Sequence, residues 1–343
     1  MKKTISFLLT FLIIMSCFSF GVSALSEKTG IDALNAQFIK RDGIMDYVYY
    51  SPVKNDRDKT KYPVVVWLHG NSSGDYPGHQ LENSDIGRWS SEEYQSRFED
   101  AGGAFLFLPR YPTKDSLMLA WEGPTTTLKS SIDSFLKIHE DNVDLNRIYI
   151  GGYSMGGKMV LRMAITYPEF FAAAFPLSPI YAPTTAELGS LVDMPIWFAW
   201  CKNDTYLSLN QVTVRSNWSY LMSISNCKED CRLVTFDKIY HSNYALRTAD
   251  DAGDTHNTWD AATHDFFMDD GAHFKDVLIT DGNGEEVKLT YPKGLISWLS
   301  SQSKAEAEDN GAGGSLIRRL LSKIGDFFSN FFVALIKILT DAL

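Results

Sequence analysis

The chain has 343 residues, 45% of them hydrophobic and 22% charged, with a formal net charge of −10. This is a globular composition, and it excludes a disordered or fibrous chain. The acidic balance argues against a nucleic-acid partner and suits a soluble surface.

The chain opens with Lys2 and Lys3, an apolar run from Ile5 to Met15, and the small residues Val22-Ser23-Ala24. Together they predict an export signal over residues 1–24; the run is too short for a membrane span. A rival reading makes Cys17 a lipid-attachment cysteine, but Met15 fits that pattern poorly. Cleavage after Ala24 removes two lysines and no acids, taking the net charge from −10 to −12. The expected location is therefore secreted or extracellular. In an oxidising compartment Cys227 and Cys231 are candidates to pair around a tight loop, leaving Cys201 as a buried thiol.

Past the signal, apolar runs alternate with helical patterns. Strands are predicted at Tyr47 to Ser51, Tyr62 to Leu68 and Ala104 to Leu108. Leu128, Ile132, Phe135 and Leu136 give Thr127 to His139 a helical period. A strand over Arg147 to Gly151 is followed by a helix from Met155 to Tyr167, stopped by Pro168. Strands at Ala173 to Leu177, Pro195 to Cys201 and Arg232 to Tyr240 surround a helix near 210–224. A last helix spans Gly294 to Gln302. The expected fold class is α/β: a mainly parallel sheet with helices on both faces, in one domain over 25–302.

Residues 303–314, rich in Ala, Glu, Gly and Ser, read as a flexible linker. Residues 315–343 repeat apolar side chains at helical spacing, with Arg318, Arg319, Lys323 and Asp326 on the other face. Two readings of this amphipathic helix stand: docking on its own domain, or contact with a membrane surface or protein partner through Ser315–Leu343.

Gly152-Tyr153-Ser154-Met155-Gly156 is a Gly-x-Ser-x-Gly pentapeptide between a buried strand and an amphipathic helix. Such a sharp turn lifts a serine hydroxyl clear of the sheet, with the helix N-terminus behind it. The bland alternative is a glycine-rich turn without chemistry. A serine hydroxyl needs a base to become a nucleophile, and the base needs an orienting acid. In this strand–turn–helix context the chain order is serine, acid, histidine. Asp204, just past the strand ending at Cys201, is the candidate acid. His241 and His256 both follow it, and spacing alone leaves the two open. Oxyanion donors are expected from the N–H of Met155 and from the loop after Leu68, where Asn71 is the candidate. Tyr181, Trp89, Trp121 and Trp259 are candidates either to line the site or to pack in the core.

Three segments carry a resemblance: Pro63 to Gly70, Asn146 to Gly157, and His256 to Ala261. They resemble the α/β-hydrolase superfamily, in the branch of polyhydroxybutyrate depolymerase-like esterases, feruloyl-esterase-like enzymes and predicted peptidases. The resemblance covers most of residues 60–265. It implies an α/β-hydrolase fold and favours His256 over His241 as the base. It also implies hydrolysis of carboxylic esters through Ser154, Asp204 and His256, of the acetyl- or feruloyl-esterase type, on small-molecule or polymer-borne substrates. Neither metal nor organic cofactor is required. The alternatives are a serine peptidase of the prolyl-oligopeptidase-like kind and a non-catalytic binding module. One departure is the segment from Thr263 to Lys293, which includes a predicted β-hairpin near 276–284 that either roofs the site or extends the sheet. Only about fifteen residues, Ser178 to Val192, stand where many relatives carry a large lid, so a small cap is expected.

Overall fold

The computed structural model describes residues 30–304, apart from 56, 72–77, 83–84, 112–120, 122, 203, 205–210, 238–255, 266–276 and 291–292. The expected signal segment with Cys17, the amphipathic helix 315–343, nearly all of the linker, and His241 lie outside the described residues. The chain divides into two units, 1–302 and 303–343, and everything described below belongs to the first.

Among the described residues nine strands form one sheet: β1 (Ile39–Arg41), β2 (Tyr47–Tyr50), β3 (Tyr62–Leu68), β4 (Phe105–Pro109), β5 (Val143–Tyr153), β6 (Ala173–Leu177), β7 (Trp197–Cys201), β8 (Arg232–Phe236) and β9 (Val277–Asp281). Their order is β1-β2-β4-β3-β5-β6-β7-β8-β9. The six strands from β4 to β8 in that order run parallel, and β2 and β9 border them antiparallel. All seven residues of β3 are buried, as a central parallel strand between two covered faces requires. Its side chains alternate between two cores. Val65 and Trp67 join Trp89, Phe175 and Leu299 on one face, while Val64, Val66 and Leu68 join Phe135, Met159 and Met163 on the other.

Beyond a helical stretch over 30–35, the α-helices among the described residues are α1 (His79–Glu82), α2 (Glu92–Gln95), α3 (Thr125–Ile138), α4 (Met155–Thr166), α5 (Thr185–Leu188), α6 (Gln211–Ile224), α7 (Thr258–Thr263) and α8 (Leu295–Ser300). Leu128, Ile132, Phe135 and Leu136 are the buried stripe of α3, as their spacing predicted. The small cap between β6 and β7 holds only α5 and a 3-10 turn, Gly189–Leu191. It is fastened by a capping box between Thr184 and Glu187, and Tyr181 donates to Glu187 at 2.6 Å.

Several elements differ from expectation. Strand β5 begins at Val143 because Tyr62 pairs with Val143 ahead of a register shift. The predicted hairpin extends the sheet, since β9 pairs along the whole of β8 and its turn closes over Asp281 to Glu285. The Cys227 and Cys231 thiols lie 4.0 Å apart and are not bonded, so the expected bridge is not formed; Cys201 is buried as a free thiol. Helices α1, α2 and the 3-10 turn Ile86–Ser90 between them are too short to show a period in the sequence.

One buried ion pair ties this region to the end of α7. Arg97 donates to Asp265 at 2.7 Å, with the side chains 4% and 0% exposed, and Leu295 N–H also donates to Asp265. Burial pushes the Asp265 carboxyl up to about 6, against the pull of Arg97 and the backbone donors. The native state therefore holds a proton on Asp265 at pH values where the unfolded chain has lost it, so stability falls as pH rises through that window. Replacing Arg97 with Met removes the counter-charge and raises that carboxyl further. Urea denaturation is expected to show a loss of about 3–5 kcal/mol at pH 8 and a smaller loss at pH 5. An equal loss at both pH values would contradict a buried carboxylate as the cause.

Candidate active site

Strand β5 passes directly into α4 through Ser154, which has φ 56° and ψ −119°. Positive φ is strained for a serine, and the surroundings hold it there. Ser154 N–H donates to Leu177 O at 3.0 Å, while Ser154 O accepts from Lys158 N–H at 3.0 Å and Ile180 N–H at 3.3 Å. The start of α4 is pressed against the end of β3. A Cβ on Gly156 would lie 2.2 Å from Leu68 O and 2.5 Å from His69 O, so only glycine fits.

His256 joins the other two members. Its Nε2 is 2.9 Å from Ser154 Oγ, and its Nδ1 is 2.7 Å from Asp204 Oδ2. The carboxylate only accepts, so Nδ1 carries the proton and donates; Nε2 is then free to accept from the Ser154 hydroxyl. The side chains of His256 and Asp204 are 7% and 1% exposed. Asp204 stands just beyond β7, where its N–H donates to Cys201 O at 3.2 Å. The structure thus brings together Ser154, Asp204 and His256 from three separate segments.

Met155 opens α4, and Asn71 follows Gly70 at the end of β3. The close packing of Gly156 on His69 O places both backbones at the same end of the sheet. His69 is buried and holds this loop: its Nδ1 donates to Gly70 O at 2.6 Å, and its Nε2 accepts from Tyr111 N–H at 3.0 Å. Its carbonyl accepts from Trp121 Nε1 at 2.7 Å. A cleft of about 480 Å³ opens beside these residues, walled by Tyr111, Trp121, Arg110 and Met159.

The four aromatic candidates divide. Trp89 and Trp121 are fully buried, and Trp89 stacks on Phe175 in the core. Trp259 stacks on Tyr153 with centroids 4.3 Å apart and lies edge-on to His256 at 5.6 Å. Tyr153 in turn fills the space over Gly70, where a Cβ would come within 2.5 Å of its ring. The residue before the serine is therefore wedged between the loop after β3 and the segment that carries the histidine. The pattern Gly-x-Ser-x-Gly leaves that position unspecified, so sequence reasoning passed over it. Ser178 and Thr258, both buried behind the site, were also missed.

A family model described as Phospholipase/Carboxylesterase matches residues 123–247. A search of curated proteins found no match. Among solved structures the chain resembles a thermostable esterase, with 23% identity and a TM-score of 0.54, over 68% of this chain and 61% of that one. The chain thus spans less than two thirds of that esterase's length, and the likeness shows a common fold. Acetyl xylan esterase from Aspergillus awamori matches at 14% identity and a TM-score of 0.41, over 54% of this chain and 80% of that one. Acylaminoacyl peptidase from Pyrococcus horikoshii matches at 18% and 0.38, over 55% and 35%. The last two are too distant to support an argument.

Gly156→Ala is expected to push α4 off the β3 carbonyls and move the serine with it. The expected outcome is a loss of about 1–3 kcal/mol in stability. Labelling of Ser154 by a fluorophosphonate should slow by about 100-fold. Unchanged melting and unchanged labelling would refute the close approach at this turn.

Proposed function

We propose that the chain, which shares its fold with a solved esterase, is an α/β-hydrolase and an exported serine esterase acting on carboxylic esters. The observation that carries this reading is the unbroken hydrogen-bond line from Asp204 through His256 to Ser154, at 2.7 and 2.9 Å. The match of the central segment to a phospholipase and carboxylesterase family model supports it.

In this reading His256 Nε2 takes the proton of Ser154 Oγ as that oxygen attacks the ester carbonyl. Asp204 keeps the imidazole in the right tautomer and stabilises the imidazolium that forms. The backbone N–H groups of Met155 and Asn71 receive the oxyanion. His256 then gives its proton to the departing alcohol, leaving an acyl-enzyme on Ser154. A water molecule, deprotonated by the same histidine, releases the acid and restores the hydroxyl. Every proton is accounted for by the three side chains and water.

The short cap bears on substrate choice. Only α5 and one 3-10 turn stand between β6 and β7, so the cap on that side is small. A small cap favours ester groups carried on a polymer or short acyl chains, as in esterases of the acetyl or feruloyl type. Export rests on the sequence of residues 1–24.

Hydrolysis of p-nitrophenyl acetate by the mature chain tests the reading. Ser154→Ala should abolish turnover, and Asp204→Asn should lower kcat by about 10⁴-fold. Turnover that survives in Ser154→Ala, or equal negligible rates in folded wild-type and variant proteins, would overturn it.

A further inference from the structure

Behind the proposed triad lies a second hydrogen-bond line that the reaction itself does not use. Ser178 stands one residue past β6, where its N–H donates to Ala199 O at 2.8 Å and carries the pairing with β7 one step beyond the strand. Its neighbour Leu177 accepts the N–H of Ser154. Ser178 is fully buried and has φ 41°, the left-handed region in which a serine is strained and a glycine is not. Its Oγ lies 2.9 Å from Oγ1 of Thr258, also fully buried at the first position of α7. Thr258 N–H donates to His256 O at 2.9 Å.

The contacts therefore run without a gap from the backbone of the serine, through Leu177, Ser178 and Thr258, to the backbone of the histidine. Glycine would relax Ser178, yet a side chain with a hydroxyl stands there, aimed at the residue that holds the His256 carbonyl. Strain retained at a buried position beside a reactive site calls for a reason in the site. The two imidazole hydrogen bonds orient the ring but leave its backbone to be fixed by something else. The only covalent approach to His256 from the N-terminal side comes through residues 238–255, outside the described residues. The bond from Ser178 to Thr258 ties the far side of that histidine to the same C-terminal end of the central strands that carries Ser154.

We propose that Ser178 and Thr258 are positioning residues for His256, and that their mutual hydrogen bond sets the distance between His256 Nε2 and Ser154 Oγ. The proposal rests on the reading of His256 as the base. Neither hydroxyl touches the reacting atoms; each acts through the histidine backbone.

The test uses Thr258→Val, which keeps the shape and removes the hydroxyl, Thr258→Ser, which restores it, and Ser178→Gly, which removes the hydroxyl while relieving the strained backbone. Each protein is followed by thermal melting, by kcat and KM on p-nitrophenyl acetate, and by the downfield proton resonance of His256 Nδ1–H in its bond to Asp204. Thr258→Val and Ser178→Gly are expected to lower kcat about tenfold or more with KM within about twofold, because a misplaced base slows chemistry more than binding. The resonance should broaden or shift in both while melting stays near that of the wild type, and Thr258→Ser should recover both readouts. The double variant should be no worse than the poorer single, since the two hydroxyls share one bond. An unchanged kcat and resonance in folded Thr258→Val and Ser178→Gly would overturn the proposal. A wild-type protein without esterase activity, whose resonance still responds to these substitutions, would remove the ester reading and leave the positioning intact.

Discussion

A serine held at φ 56° between a buried strand and a buried helix persists only where its neighbours allow no other conformation. Here they do so from three sides. Strand β5 is clamped between β3 and β6 in the middle of the parallel run, so the chain before Ser154 cannot shift. Helix α4 is seated on the β3 carbonyls through Gly156, so the chain after it cannot shift either. The hydrogen bond from Ser154 N–H to Leu177 O pins the residue itself. With Ser154 so fixed, Asp204 and His256 must be brought to it for the hydrogen-bond line to form. Asp204 arrives on the end of β7, one strand beyond β6, by the ordinary geometry of a parallel sheet. His256 arrives from a distant segment and needs fastening of its own.

This difference explains what could be read from the sequence. The turn at Ser154 was legible because its physics is local: small residues, a buried strand before it and an amphipathic helix after it. Strand β3 was legible as a buried run for the same reason, and six of its seven residues sort onto the two cores by parity. Asp204 required only the end of a strand and the chain order. His256 was harder, because two histidines followed the acid and only the resemblance of His256 to Ala261 separated them. The structure places His256 within hydrogen-bond distance of both partners, while His241 lies outside the described residues.

What the sequence hid was non-local or aperiodic. Nothing in Val277 to Asp281 says whether that strand roofs a cleft or joins a sheet edge; the open edge of β8 decides it. Trp89, Trp121 and Trp259 are the same residue type with different fates, set by neighbours from remote parts of the chain. Ser178 shows no mark in the sequence, since its left-handed backbone and its partner Thr258, 80 residues further on, are seen only in the fold.

The stretch from His79 to Phe98 illustrates how an unreadable segment acquires a role. Its three helical turns are too short to be stable alone, and four or five residues cannot display a helical period. They are held by the core: Trp89 packs on Trp67, and Gln95 joins Trp89 O to the Ala104 N–H ahead of β4. So supported, they offer three polar groups to one target. Trp89 Nε1 donates to Thr263 O at 3.0 Å, Tyr94 Oη donates to His264 O at 3.0 Å, and Arg97 pairs with Asp265 at 2.7 Å. These three consecutive residues close the C-terminal end of α7. Its N-terminal end is held by Thr258 on Ser178. A helix of six residues has little stability of its own, so these attachments add to the bonds that His256, two residues before it, makes to Asp204 and Ser154. The irregular segment before β4 and the strained serine after β6 hold opposite ends of that short helix. His256, the proposed base, lies two residues before the helix that both of them hold.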